Sequence, residues 1–353
     1  MTGAGDARPV GLVTSTREDL RVGLVPSNVD ARSIAALEAL PIDSLWVGGH
    51  VASRNPTPEA MMGLARLAAL TERVTVGTAI LLLPLYPPAI VAKQLADLDR
   101  VTGGRTVLGV GVGGEYPAEF RACQIPMGER GRRTDEAIAV IRRLWTAEEI
   151  THPGPFYPME QVRVHPAPLQ PGGPPIVVAG RKEPAMRRAA VLGDGWMPYL
   201  YSPRRYAAST ETVRAHAAAA GRDLSGFEWC AWIFVNIDDD GDRAREAAAQ
   251  SMGGTYDQDF RAMVDHVAAA GTPVEVARRV VEFVDAGARH FVFAPVPGPD
   301  GDRDRVVRRL LDEVMPAVRD AAARKASVSC STLGAPSSPS SVRYRRHATD
   351  GLA

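Results

Sequence analysis

The stretch RTVLGVGVGG, residues 105–114, decides the fold. A β-branched run passes straight into glycines that alternate with valines, and Glu115, Tyr116 and Pro117 follow. Residues 109–114 satisfy G-x-G-x-x-G after a strand. A dinucleotide-binding turn needs a helix opening at its last glycine, so that the helix N-terminus meets a pyrophosphate. Here the clear amphipathic helix begins near Glu129, and the pattern stands at the fourth strand rather than in the first βαβ unit. Two other readings stay open. Small residues relieve crowding where a barrel strand exits, or backbone without Cβ admits a flat ring system at the strand's C-terminal end.

Working outward, short apolar strands alternate with amphipathic helices. Strands are expected at 21–26, 43–49, 73–81, 105–112, 175–180, 195–200, 227–237 and 289–296. Helices are expected at 31–39, from Pro58 onward, at 88–102 ending on Gly103-Gly104, at 129–145, 183–193 and 203–221, in two or three pieces over 242–286, and at the end of the domain. Eight near-continuous apolar strands, nearly all followed by helices, predict parallel pairing in an α/β (β/α)8 TIM barrel. Residues 151–174 are rich in proline and interrupt the rhythm after the fourth strand-helix unit as a surface insertion, with a hairpin as one option. A doubly wound open sheet would need a domain division, and none is legible.

Composition bounds the rest. The chain has 353 residues, 45% apolar, with 41 basic and 41 acidic side chains, so net charge favours neither nucleic acid nor an anionic membrane. The longest apolar stretch carries three prolines and is too short to span a bilayer, which predicts a soluble cytoplasmic protein. Cys123, Cys230 and Cys330 are far apart and read as reduced thiols, and no histidine pair has metal-ligand spacing. Residues 1–20 read as an irregular segment, 21–325 as one domain, and the Ser- and Pro-rich 326–353 as a disordered tail.

Two further stretches carry chemistry. In PPIVVAGRKEPAMRR, residues 174–188, a strand ends at Ala179-Gly180 and a helix starts near Glu183. Its first N–H groups, with Arg181 and Lys182, make an anion site or, alternatively, a solvated basic turn. In DSLWVGGHV, residues 43–51, a strand delivers His50 to the same barrel end. There it can hydrogen-bond a ring carbonyl or move a proton.

Together with 74–145, these stretches resemble the luciferase-like monooxygenase superfamily, and within it the oxidoreductases that use coenzyme F420. The likeness runs from about residue 21 to 320. It implies a TIM barrel with a deazaflavin, or FMN as the alternative, across the C-terminal mouth. It places a non-prolyl cis peptide at Ala79–Ile80 beneath the ring. Gly111, Gly113 and Gly114 would face the ring and its side chain, with Glu115 beside them, and Ala179, Gly180 and Arg181 would take the phosphate. His50 would bind the cofactor and carry the proton, and the chain would form a homodimer. The sequence departs at Gly49, where deazaflavin users often have Asp. It departs again at Gly114, where sugar-phosphate dehydrogenases of the family have an acid. Leu81, Leu82 and Leu83 suggest a greasy mouth and a less polar substrate. The expected activity is hydride transfer between F420 and that substrate. An FMN monooxygenase and a non-catalytic flavin-binding protein are the rivals. Residues 250–262, polar and broken by glycine, are a candidate lid or a plain surface loop.

Overall fold

The computed structural model describes residues 20–298 and 301–332. Eight parallel strands close a barrel: β1 (Arg21–Leu24), β2 (Ser44–Val47), β3 (Thr75–Thr78), β4 (Thr106–Gly111), β5 (Ile176–Ala179), β6 (Gly195–Met197), β7 (Glu228–Ile237) and β8 (His290–Pro295). Each pairs with its neighbour in sequence. β8 returns to β1, with Arg21 opposite His290 and Leu24 opposite Phe293. Parallel neighbours need long crossovers, and helices supply them outside the barrel.

Alternation along each strand sorts side chains into two cores. Leu45, Val76, Leu108, Val110, Ile176, Val178, Ile233 and Phe291 point outward and pack beneath the helices. Trp46, Val107, Val177, Met197, Cys230 and Val292 point inward and fill the barrel axis. Because the inner layer is filled, the barrel is a plugged cylinder.

The proline-rich insertion is a two-stranded antiparallel hairpin, Ile150–His152 with Met159–Val162. Buried Asp99 ties its return to the barrel: the carboxylate accepts from Thr106 Oγ1 at 2.7 Å and from the backbone N of Leu169 and Gln170 at 2.8 Å each. A further short strand, Ala268–Gly271, pairs with the C-terminal half of β7.

Several boundaries differ from expectation. Helix Ala60–Leu70 starts after Glu59, whose carboxylate caps Met61 N and Met62 N, so Pro58 lies before the cap. A short helix, Pro117–Ala122, opens soon after the β4 glycines, where none was expected. Gly253 and Gly254 sit inside helix Gly241–Tyr256, which ends at left-handed Asp257 (φ 56°), within the polar stretch where a break was expected. The last helix runs through Thr332, so the tail expected from 326 gives way to helix there. Residues 1–19 and 333–353, expected to be irregular and disordered, lie outside the described residues. Among the described residues no helix is long and apolar enough to cross a membrane.

Candidate active site

All ten residues singled out from the sequence lie at the C-terminal ends of β2 to β5 or in the turns that follow. β2 leads to His50. β3 leads to Ala79 and Ile80, whose peptide bond is cis. β4 ends on Gly111 and leads to Gly113, Gly114 and Glu115. β5 ends on Ala179 and leads to Gly180 and Arg181. Parallel pairing around a closed ring leaves them no other common end.

The β4 glycines have a reason that the sequence did not disclose. Gly109, Gly111 and Gly113 share the inward parity of Val107. At Gly109 a Cβ would meet Thr78 O, and at Gly111 it would meet Ile80 Cδ1, both well inside 3.0 Å. β3 breaks after Thr78 and resumes at Leu81–Leu82, paired to Val110–Gly111. Ala79 and Ile80 both pack on the inner core, so the alternation slips by one at this point. The expectation that Gly111 faces a bound ring is corrected: its missing side chain makes room for Ile80, and Ile80 forms the floor of the mouth. Gly113 (φ 64°) and Gly114 (φ 121°) are required by left-handed backbone, and the space beside them holds Phe120, Leu82 and Arg130. Gly180 likewise lets Ala185 of the next helix approach, since a Cβ there would lie 2.5 Å from Ala185 Cβ.

Gly49 also has no free space. A Cβ there would meet Pro58 O and Ala60 N at the start of helix Ala60–Leu70, so Asp does not fit without displacing that turn. His50 just beyond it is partly exposed, with 24% of its side chain accessible. Its Nδ1 lies 2.8 Å from Glu119 Oε1, and Glu119 is 1% exposed. The Tyr116 ring and the imidazole make a T-shaped pair, with centroids 5.0 Å apart at 86°.

On the other side of the mouth, Arg181 stacks over the Tyr199 ring at 4.7 Å. The Tyr199 hydroxyl donates to Glu115 Oε1 at 2.5 Å. Burial first, and then the Glu115 carboxylate, push the Tyr199 hydroxyl far above the ordinary tyrosine range. Tyr256 stacks on Tyr199 at 6.2 Å. Its segment, the candidate lid, reaches the β2 and β4 loops: Arg54 pairs with Asp257, Asn55 Nδ2 donates to Gly254 O at 3.3 Å, and Tyr116 Oη lies 3.5 Å from Thr255 O. The greasy surface also moves. Leu81 and Leu83 are buried in the outer core, and Leu82 is buried beside Gly113. The apolar wall is instead Tyr199, Trp232, Phe234 and Tyr256.

Glu119, Arg130, Tyr199 and Trp232 were missed in the sequence. Pro117 at a first helical position announces the short helix that carries Glu119. The period of two along β7 puts Trp232 on the inward face with Cys230. Three of these side chains bear buried polar atoms without a partner: the acceptor Glu119 Oε2, and two donors at the mouth, Arg130 Nε beside Gly114 and Trp232 Nε1. Buried donors are nearly always satisfied, so a mouth that leaves two bare suits an electron-rich ligand. The uncapped start of helix Glu183–Leu192, with Arg181 and exposed Lys182, offers N–H groups and positive charge to a phosphate. A second polar group lies at the opposite, N-terminal end. Glu228, Cys230 and His290 hold their ligand-type atoms within 4.8 Å of one another, but Arg21 already pairs with Glu228 and Ser44 with His290.

Comparison with known proteins agrees with this geometry. An uncharacterized protein of Mycobacterium tuberculosis is 39% identical over 142 residues, 40% of this chain and 48% of that protein, so the chain spans about half the length of that relative. An F420-dependent glucose-6-phosphate dehydrogenase of Kineococcus radiotolerans is 29% identical over 309 residues, 79% of this chain and 89% of that enzyme. An F420-dependent secondary alcohol dehydrogenase, solved with an F420-acetone adduct, superposes with a TM-score of 0.74 at 22% identity, covering 86% of this chain and 100% of that one. The luciferase-like monooxygenase family matches residues 11–290. With a closed eight-stranded barrel and every matched position at one rim, the chain belongs to the luciferase-like monooxygenase family.

Proposed function

We propose that the chain is an oxidoreductase that transfers a hydride between coenzyme F420 and a small, rather apolar substrate bearing one carbonyl or hydroxyl oxygen. The observation that carries the reading is the arrangement of the rim. Ile80 floors it, Trp232 stands in its wall, His50 stands on the β2 side, and Arg181 with the helix start stands on the β5 side. The F420-dependent relatives support the choice of cofactor. So does the basic surface at β5, where Arg205 donates to Arg181 O at 3.0 Å beside exposed Lys182. FMN ends at its phosphate, whereas F420 carries an oligoglutamate tail that such a surface would attract.

When bound, the deazaflavin supplies or accepts the hydride. The chain's own residues do the rest. Arg181, Lys182 and the first N–H groups of helix Glu183–Leu192 hold the anionic part. Ile80 supports the ring from below. During reduction His50, having first taken a solvent proton on its outward ring nitrogen, gives that proton to the substrate oxygen; during oxidation the neutral ring takes the proton from it. Trp232 Nε1 donates to the same oxygen or to one on the ring. Tyr199, Phe234 and Tyr256 keep water from the reacting face.

Parallel fluorescence titrations with F420 and FMN test the cofactor. Binding of F420 at least tenfold tighter supports the reading, and the reverse preference makes the FMN monooxygenase the better one. Anaerobic oxidation of reduced F420 by 2-cyclohexen-1-one and related ketones then tests turnover. Tight binding with no oxidation by any of them leaves the non-catalytic flavin-binding protein.

A further inference from the structure

We infer that Glu119 is a positioning residue for His50. It fixes the imidazole as the tautomer with its proton on Nδ1, so that a bare Nε2 is presented at the mouth. The inference rests on His50 as the proton carrier of the proposed reaction.

The geometry carries it. Glu119 sits on the short helix Pro117–Ala122, which the β4 turn turns back against the β2 loop. Its side chain is 1% exposed, and buried glutamates are rare unless they have a partner. Oε1 lies 2.8 Å from His50 Nδ1 and accepts from Ala52 N at 3.4 Å, so the carboxylate grips both the ring and the loop that carries it. An ionised carboxylate has no proton to give, so Nδ1 must be the donor and Nε2 must be bare. Among the described residues, Nε2 makes no hydrogen bond to protein. The Tyr116 ring packs edge-to-face with the imidazole at 86°, which restrains the ring plane from a second side.

Glu119 Oε2 is buried and has no partner. Burying a bare carboxylate oxygen is costly, and an apolar residue of similar size would fill this position at less cost in stability. Its presence is explained by what Oε1 does for His50. When Nε2 takes a proton, the ring becomes a cation whose other N–H already faces a carboxylate. The charge formed in the transfer is therefore met at once, without rearrangement.

The test begins with the cofactor-free protein labelled with 15N-histidine, with the His50 signals assigned by their loss in His50→Gln. At a pH where the ring is neutral, the expected spectrum shows a protonated Nδ1 and a bare Nε2. A proton on Nε2 overturns the inference without any variant being made. Glu119→Gln keeps the shape and removes the charge. Its expected effects are a mixed tautomer at His50, F420 affinity within about twofold of wild type, and at least a tenfold fall in kcat with 2-cyclohexen-1-one at unchanged KM. An unaltered tautomer and rate in Glu119→Gln also overturn it. His50→Ala separates the two claims. If that variant turns over at the wild-type rate, the role of His50 itself fails. If His50→Ala is slow and Glu119→Gln is not, only the role of Glu119 fails.

Discussion

Ile80 occupies the room that Gly111 leaves empty, so that the floor of the mouth is a side chain from β3 laid over bare backbone of β4. Gly111→Ala therefore overpacks the rim rather than straining the chain. A loss of about 1–3 kcal/mol is expected in urea unfolding. Ile80→Ala alone leaves a gap. In the double variant the new methyl group meets only the Cβ at position 80, which lies 3.9 Å away. The two costs are expected to couple by at least about 0.5 kcal/mol in the stabilising direction. Strict additivity would mean that Ile80 and Gly111 do not share that space.

Arg181→Ala removes a guanidinium that rests on Tyr199 beside the start of helix Glu183–Leu192. F420 affinity is expected to fall about tenfold at low ionic strength and by less at high salt, because screening already weakens the wild-type attraction. The check is a titration series across salt. Equal affinities at low salt would assign Arg181 to the wall alone.

Trp232→Phe keeps a large aromatic ring and deletes a buried N–H that has no protein partner. Removing an unsatisfied donor costs little or stabilises, so the unfolding midpoint is expected to hold. KM for a ketone such as 2-cyclohexen-1-one is expected to rise severalfold if the donor serves the substrate oxygen. A parallel rise in the Kd of F420 would assign the N–H to the ring instead.

At the opposite end of the barrel, burial holds His290 below the ordinary histidine value of 6.5, against the upward pull of Glu228. The unfolded chain then takes up its proton first. Stability is fully present above that value and is lost as pH falls below it. Glu228 adds a loss at lower pH still: burial pulls its carboxyl upward, but His290 and Arg21 together bring it below its usual 4.5. Urea midpoints measured from about pH 7.5 down to 5.5 should fall in wild type and fall less steeply in His290→Asn. The same slope in both would remove His290 from the acid response.

The barrel was legible because its signal is local and repeated. All eight expected strands are present, as are the main helices, since the strands are apolar runs and the helices carry their own caps, as Thr272 and Glu275 do in a capping box. The site was legible only by address. Which residues reach the rim follows from which residues end a strand. What fills the space beside them does not, because that depends on chain far away in sequence. Gly111 was assigned to a ligand and Leu81 and Leu83 to the mouth, since nothing near them in sequence announces the slip of β3 that turns Ile80 inward and the leucines out. Glu119 escaped notice because its helix has six residues and almost no periodicity of its own.

By itself the sequence determined the count, order and apolar faces of the elements, and hence one closed parallel cylinder with His50 and Arg181 at the same rim. Hydrophobic period and turn chemistry are properties of neighbouring residues, so they can be read in one dimension. Only the tertiary structure decided that Ile80 is the floor, that Trp232 and the tyrosines are the wall, and that a buried carboxylate holds the histidine. Each of those is a contact between strands or loops far apart along the chain, and close packing rather than local preference selects it.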